Sequence, residues 1–240
     1  MKQILFNTEM VQAILEDRKS QTRRPIKAPG NVYHYDHLLG DWGLSREPEI
    51  IDGELHWELQ TAVDASSKFI GNLPYQKGNI LYVRETWKAI AIDPTVNYMY
   101  IKYIADDQKN FVEFKRDRFE KFRKYENKNG NHANIFMPKE AARLFLEVTD
   151  VRIERVQDIT EKNARNEGAE NMVWYKPYGK GPEEHKDISG LSGYPDERIS
   201  WRNGFATLWD ELYFEKGYGW GTNCWVWVIE FERCEKPNGN

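Results

Sequence analysis

Residues 18–27 carry Arg18, Lys19, Arg23, Arg24 and Lys27 and no acidic side chain, five positive charges in ten positions. A cluster this dense repels itself, so it calls for an anionic partner. Arginine suits phosphate because its planar fork bonds two oxygens at once. A solvated helix end is the competing reading, since cations there offset the C-terminal dipole. Charge alone weighs the two equally. Thr22 sits inside the cluster. A hydroxyl is a poor nucleophile until a neighbouring base takes its proton. Lys19 would serve if the surrounding cations favour its neutral form, or it would hold a developing oxyanion. Read alone, Thr22 is a cap or surface residue.

The elements around this cluster follow from pattern. Ile4, Leu5 and Phe6 read as a short opening strand. Thr8 is placed to cap a helix with Glu9 in its first turn, and Met10, Val11, Ile14 and Leu15 share one face. The helix is predicted to end near Arg18. Pro25 pushes Arg24 toward extended geometry. Residues 28–76 are irregular and rich in Gly and Pro, with strand-like pieces at 50–51 and 55–59 that suggest an inserted hairpin. Strands follow at 80–87 and 98–104. Residues 106–131 interleave charge with Phe111, Phe114, Phe119 and Phe122, a solvated amphipathic segment in preference to an aromatic stacking platform.

Leu144, Leu146 and Val148 alternate, then the apolar phase slips to Val151 and Ile153, which predicts a bulge near Asp150. A helix is predicted from about 158 to 167, with Gly168 placed to stop it. Residues 175–199 read as a loop. Ser200 or Asn203 starts a helix with Phe205, Leu208, Trp209 and Leu212 on one face, and Trp225, Trp227, Ile229 and Phe231 alternate in a last strand. Short strands with three helices between them predict an α+β domain with a curved or closed sheet.

Composition narrows the function. The net charge is -4, whereas proteins that coat duplex nucleic acid are strongly basic, so nucleic-acid contact is expected to be local. Cys224 and Cys234 flank one predicted strand. At ~3.3 Å per residue they stand ~30 Å apart, too far to bridge. Unbridged cysteines, no apolar run of membrane-spanning length and no signal-peptide core predict a cytoplasmic protein with no membrane partner. In His34-Tyr35-Asp36-His37 the two histidines lack a placeable third and fourth ligand, so no metal is expected. No P-loop or Rossmann glycine pattern is present, and no cofactor is expected.

Lys19-x-x-Thr22-x-Arg24, after a strand and a helix, resembles the signature of the ASCH domains, relatives of the PUA-like fold. Lys77-Gly78-Asn79 before 80–83, the strand and helix over 146–167, and the closing strand 225–232 resemble further parts of that family, and the longer arrangement resembles ASCH-like proteins of phages and prophages. Asp17 and Asn79 stand where the family has Gly and Asp. The resemblance implies a single PUA-like β-barrel with flanking helices, carrying insertions at about 28–76, 88–135 and 170–199. It implies recognition of a base, modified or not, in RNA, DNA or a nucleoside. One branch hydrolyses the acyl amide of N4-acetylcytidine. By resemblance its triad falls on Lys19, Thr22 and Glu167, with Thr22 attacking the carbonyl, Glu167 moving protons and Lys19 activating Thr22 or holding the oxyanion. Arg24 would contact a phosphate or the pyrimidine. Trp87 and Trp42 are candidate pocket walls, because a base stacks on an aromatic ring, although core packing is the commoner role of any one Trp. A non-catalytic RNA or modified-DNA binding module and a ribonuclease are the alternatives.

Overall fold

The computed structural model describes residues 1–27, 48–61, 65–125, 130–181, 184, 186 and 200–237. In chain order its elements are β1 (Lys2–Leu5), α1 (Thr8–Leu15), β2 (Gln21–Pro25), β3 (Glu49–Ile51), β4 (Glu54–Thr61) and β5 (Ala65–Asn72). Then come β6 (Ile80–Arg84), β7 (Trp87–Asp93), β8 (Tyr98–Tyr103), β9 (Lys109–Glu113), α2 (Arg116–Phe122) and β10 (Phe145–Arg155). The chain closes with α3 (Glu161–Asn166), α4 (Trp201–Tyr213) and β11 (Trp225–Cys234). The protein is mixed α+β, as its pattern predicts. Among the described residues the strands form several sheets and no closed barrel.

Two units divide the chain. The first comprises Met1–Ser20, Gly78–Val148 and Phe231–Asn240. Here β1 runs parallel to β6, Lys2 opposite Leu81 and Leu5 opposite Arg84, and the start of β10 pairs antiparallel with β6. The cap of α1 is Asn7 and not Thr8: its side chain accepts from Met10 N at 2.9 Å. The helix closes one turn earlier than its charges suggest. Asp17 takes φ +55°, Asp17 N donates to Ile14 O, and Arg18 N reaches back to Ala13 O at 2.8 Å. This left-handed stop is ordinarily glycine's. Asp17 therefore adopts the conformation a Gly would.

A three-stranded meander, β7–β8–β9, forms the rest of this unit's sheet structure. Its inner face buries Trp87, Met99, Ile101, Tyr103 and Val112 against α2. Of the four interleaved phenylalanines, Phe114 and Phe119 are buried in that core, Phe122 packs against it, and Phe111 is 68% exposed. The segment 106–131 thus holds a strand and a fourth α-helix beyond the three that pattern predicts. The spacing of Phe114, Phe119 and Phe122 is a core signature.

The second unit comprises Gln21–Lys77 and Thr149–Glu230. β2 pairs antiparallel with β11, Gln21 opposite Glu230 through Pro25 opposite Val226, and β11 lies between β2 and β10. α3 and α4 cover this layer, burying Val156, Ala164, Phe205, Trp209, Trp220, Val226 and Val228 together. α3 starts where expected, with Thr160 Oγ1 accepting from Asn163 N at 3.2 Å, and stops at Gly168, φ +78°. Ser200 caps α4. Strands β3–β4–β5 form a three-stranded sheet of their own, one strand more than the expected hairpin. Asp52 and Gly53, both at positive φ (51° and 79°), make its first turn.

Candidate functional site

Within the basic segment Gln21–Pro25 form a strand, while Arg18 and Lys19 close the end of α1, both donating from N to Ala13 O. β2 begins three residues after the C-terminal turn of α1, and Arg24 is extended as Pro25 requires. Alternation then places Gln21 and Arg23 on one face and Thr22 and Arg24 on the other. Toward α3, Gln21 Nε2 donates to Asn163 O at 3.0 Å, and the Arg23 guanidinium meets Glu167, the residue that caps the helix.

Thr22 is 1% exposed, and its Oγ1 makes no hydrogen bond. Most buried polar groups find partners, so a buried hydroxyl without one calls for an explanation. Lys19, in the first unit, is 4% exposed, with Nζ 5.7 Å from the Phe6 ring centroid. Glu167 is also 4% exposed. All three residues of the expected triad are therefore buried, far from the solvated roles such residue types usually take. The structure brings Glu167 to Arg23; it makes no hydrogen bond between Glu167 and Thr22.

Arg23, one of the five cations of the cluster, is not surface charge. Its side chain is fully buried, with Nη1 3.1 Å from Glu167 Oε1 and Nη2 2.6 Å from Glu154 Oε2. The chain of charge continues. Arg152 Nε donates to Glu154 Oε1 at 2.6 Å, and Arg152 Nη1 to Glu230 Oε1 at 2.6 Å and Asp150 Oδ2 at 3.1 Å. Partial burial works against the charged form of Glu154, but Arg152 and Arg23 outweigh it and hold the carboxyl below the ordinary range. Arg18 does behave as surface charge, exposed and paired with Glu16 at 2.6 Å.

Arg24, half-buried, donates from Nη1 to Tyr213 Oη at 2.9 Å. Tyr213 in turn packs on Trp209, ring centroids 4.4 Å apart. Burial raises the hydroxyl of Tyr75, and the field of Arg24 draws it back. Arg24 thus bonds one tyrosine and acts on the hydroxyl of another through its field. Trp87 is fully buried in the meander core, 5.2 Å from Tyr125 and 4.8 Å from His132 between ring centroids. That is the packing role any single Trp most often fills. Trp42, His34, Asp36 and His37 lie outside the described residues. Among the described residues no three potential metal ligands cluster, and no helix is long and apolar enough to cross a membrane.

Arg23 and Glu154 escaped the motif reading. One signal for Arg23 was available: an extended run ending at Pro25 must alternate, so Gln21 and Arg23 share a face. Glu154 carries no such mark, because an acid in a long strand is ordinarily a solvated one.

Family models, curated proteins and solved structures contain no match to this chain.

Proposed function

We propose that this chain is an ASCH-like protein of PUA-like fold that recognises a modified base, in a nucleoside or a nucleic acid, and hydrolyses an acyl amide on it. The unpartnered buried hydroxyl of Thr22 carries this reading. An unsatisfied buried hydroxyl costs about 1–3 kcal/mol, and a valine of the same shape avoids that cost. Stability alone therefore argues against threonine here; a reaction at its oxygen argues for it. The motif resemblance of Lys19, Thr22 and Arg24 points the same way.

In this mechanism Thr22 Oγ gives its proton to the Glu167 carboxylate and attacks the amide carbonyl of an N4-acylcytosine, forming a C–O bond. The C–N bond breaks, the exocyclic amine leaves with a proton supplied by Glu167, and water then hydrolyses the threonyl ester. The resemblance alone assigns Lys19, three residues upstream in the chain, to the oxyanion or to activation of Thr22. Arg24 and the tyrosines around it contact the pyrimidine or a phosphate. In the absence of substrate, catalytic hydrogen bonds are often unformed, so the silent Thr22 hydroxyl fits a nucleophile waiting for its carbonyl.

The test is cytidine release from N4-acetylcytidine. Wild type is expected to turn over. Thr22→Val is expected to lose at least about 100-fold in rate while unfolding at higher urea, by about 1 kcal/mol. Turnover unchanged in Thr22→Val removes Thr22 from the mechanism. The ion pair of Glu167 with Arg23 favours a second reading, a binding module without chemistry. Binding of N4-acetylcytidine with no cytidine release by wild type selects that reading.

A further inference from the structure

The outer face of the β7–β8–β9 meander carries a row of cations beside a row of aromatic rings, and the geometry points to a docking platform for single-stranded nucleic acid. Register sets Lys88 opposite Lys102 and Lys102 opposite Lys109. The Cα atoms of three lysines therefore cross the sheet in a line ~10 Å long, given ~4.8 Å between strands. The next row on the same face holds Tyr100 opposite Phe111, ~7 Å along the strands. Their rings stack, centroids 4.3 Å apart and planes 21° from parallel, yet Phe111 stays 68% exposed. Tyr98 follows in the third row, flanked by Asp93 and Glu113.

Folding does not account for this face. Like charges directly opposite one another weaken a sheet, and the meander already buries its other face. Asp107 pairs with Lys102 at 2.6 Å, but it is 75% exposed, and such surface pairs are weak. A duplex would offer phosphates to the lysines while keeping its base faces stacked inside. Only a single strand offers phosphates for the cations and open base faces for Phe111. The acidic third row repels phosphate, which confines the backbone to the lysine row. In a chain of net charge -4, this local row is where a polyanion is held. The platform uses none of the residues of the β2 site and does not depend on the reading of that site.

Fluorescence anisotropy with a labelled short oligouridylate at low salt tests it. Wild type is expected to bind. Phe111→Ala is expected to weaken binding by about 5- to 150-fold, the loss of one stacked base. Lys102→Gln with Lys109→Gln is expected to flatten the slope of log affinity against log salt by about 1.4. Ile135→Ala, a 54% exposed apolar control, is expected to change nothing. The inference is overturned if wild type does not bind. It is equally overturned if both platform variants bind as wild type does, or if Phe111→Ala instead dissolves a dimer seen by light scattering. Binding that survives the platform variants leaves the β2 reading intact, and cytidine release that fails while the platform variants behave as expected overturns only the β2 reading.

Discussion

At the scale of single residues, Arg23 shows how charge can be read correctly and placed wrongly. The five cations of residues 18–27 were legible at once, and their need for anions was too. The anions proved to be side chains of the protein for Arg18 and Arg23. Removing one partner of a buried pair leaves the other charge uncompensated, at a cost of about 3–5 kcal/mol. Arg23→Met is therefore expected to lower the unfolding free energy by that amount in urea titration. Arg23→Met combined with Glu167→Leu is expected to recover most of the loss, because no buried charge is then left alone. A single variant that costs under ~1 kcal/mol would show that Glu154 and Glu167 find other partners or water. Thr22 was singled out by motif, yet its burial was not legible, because a threonine in a strand faces core or solvent according to register alone.

At the scale of elements, the strands at 80–84 and 98–103 and the helices α3 and α4 were legible because periodicity and capping residues agreed. The cap of α1 moved one residue, from Thr8 to Asn7; either side chain has the oxygen a cap needs. β2 itself was hidden. Its residues are nearly all polar, and its burial comes from β11 and the helices that cover it. β5 was hidden for a related reason, since 65–72 lacks an apolar alternation. The close fit of α4 has a marker in sequence only in hindsight. Gly204 sits mid-helix, where glycine is ordinarily unfavourable. A Cβ there would stand 1.8 Å from Glu170 O. The glycine permits the backbone of the segment after α3 to lie against α4. Gly204→Ala, which stabilises an isolated helix by about 1 kcal/mol, is here expected to destabilise the protein, read as a lower thermal midpoint. A higher midpoint would contradict the close approach.

At the scale of the molecule, the α+β class was legible from strand and helix counts, because alternation and amphipathicity survive whatever the tertiary context. The division into two units was not legible. Both units draw on separated stretches of chain, and the boundaries at 148–149 and 230–231 fall inside strands. No linker composition marks them. The proposed function rests on one atom, the hydroxyl of Thr22, buried without a hydrogen-bond partner. Acyl transfer to that oxygen is the central claim. Its most direct measurement is mass spectrometry of the Thr22 peptide after rapid acid quench of the protein with excess N4-acetylcytidine. The account predicts an acetyl adduct on Thr22 that appears before cytidine reaches its steady rate and is absent from Thr22→Val. Cytidine release with no adduct on Thr22, or with the adduct on another side chain, would contradict it.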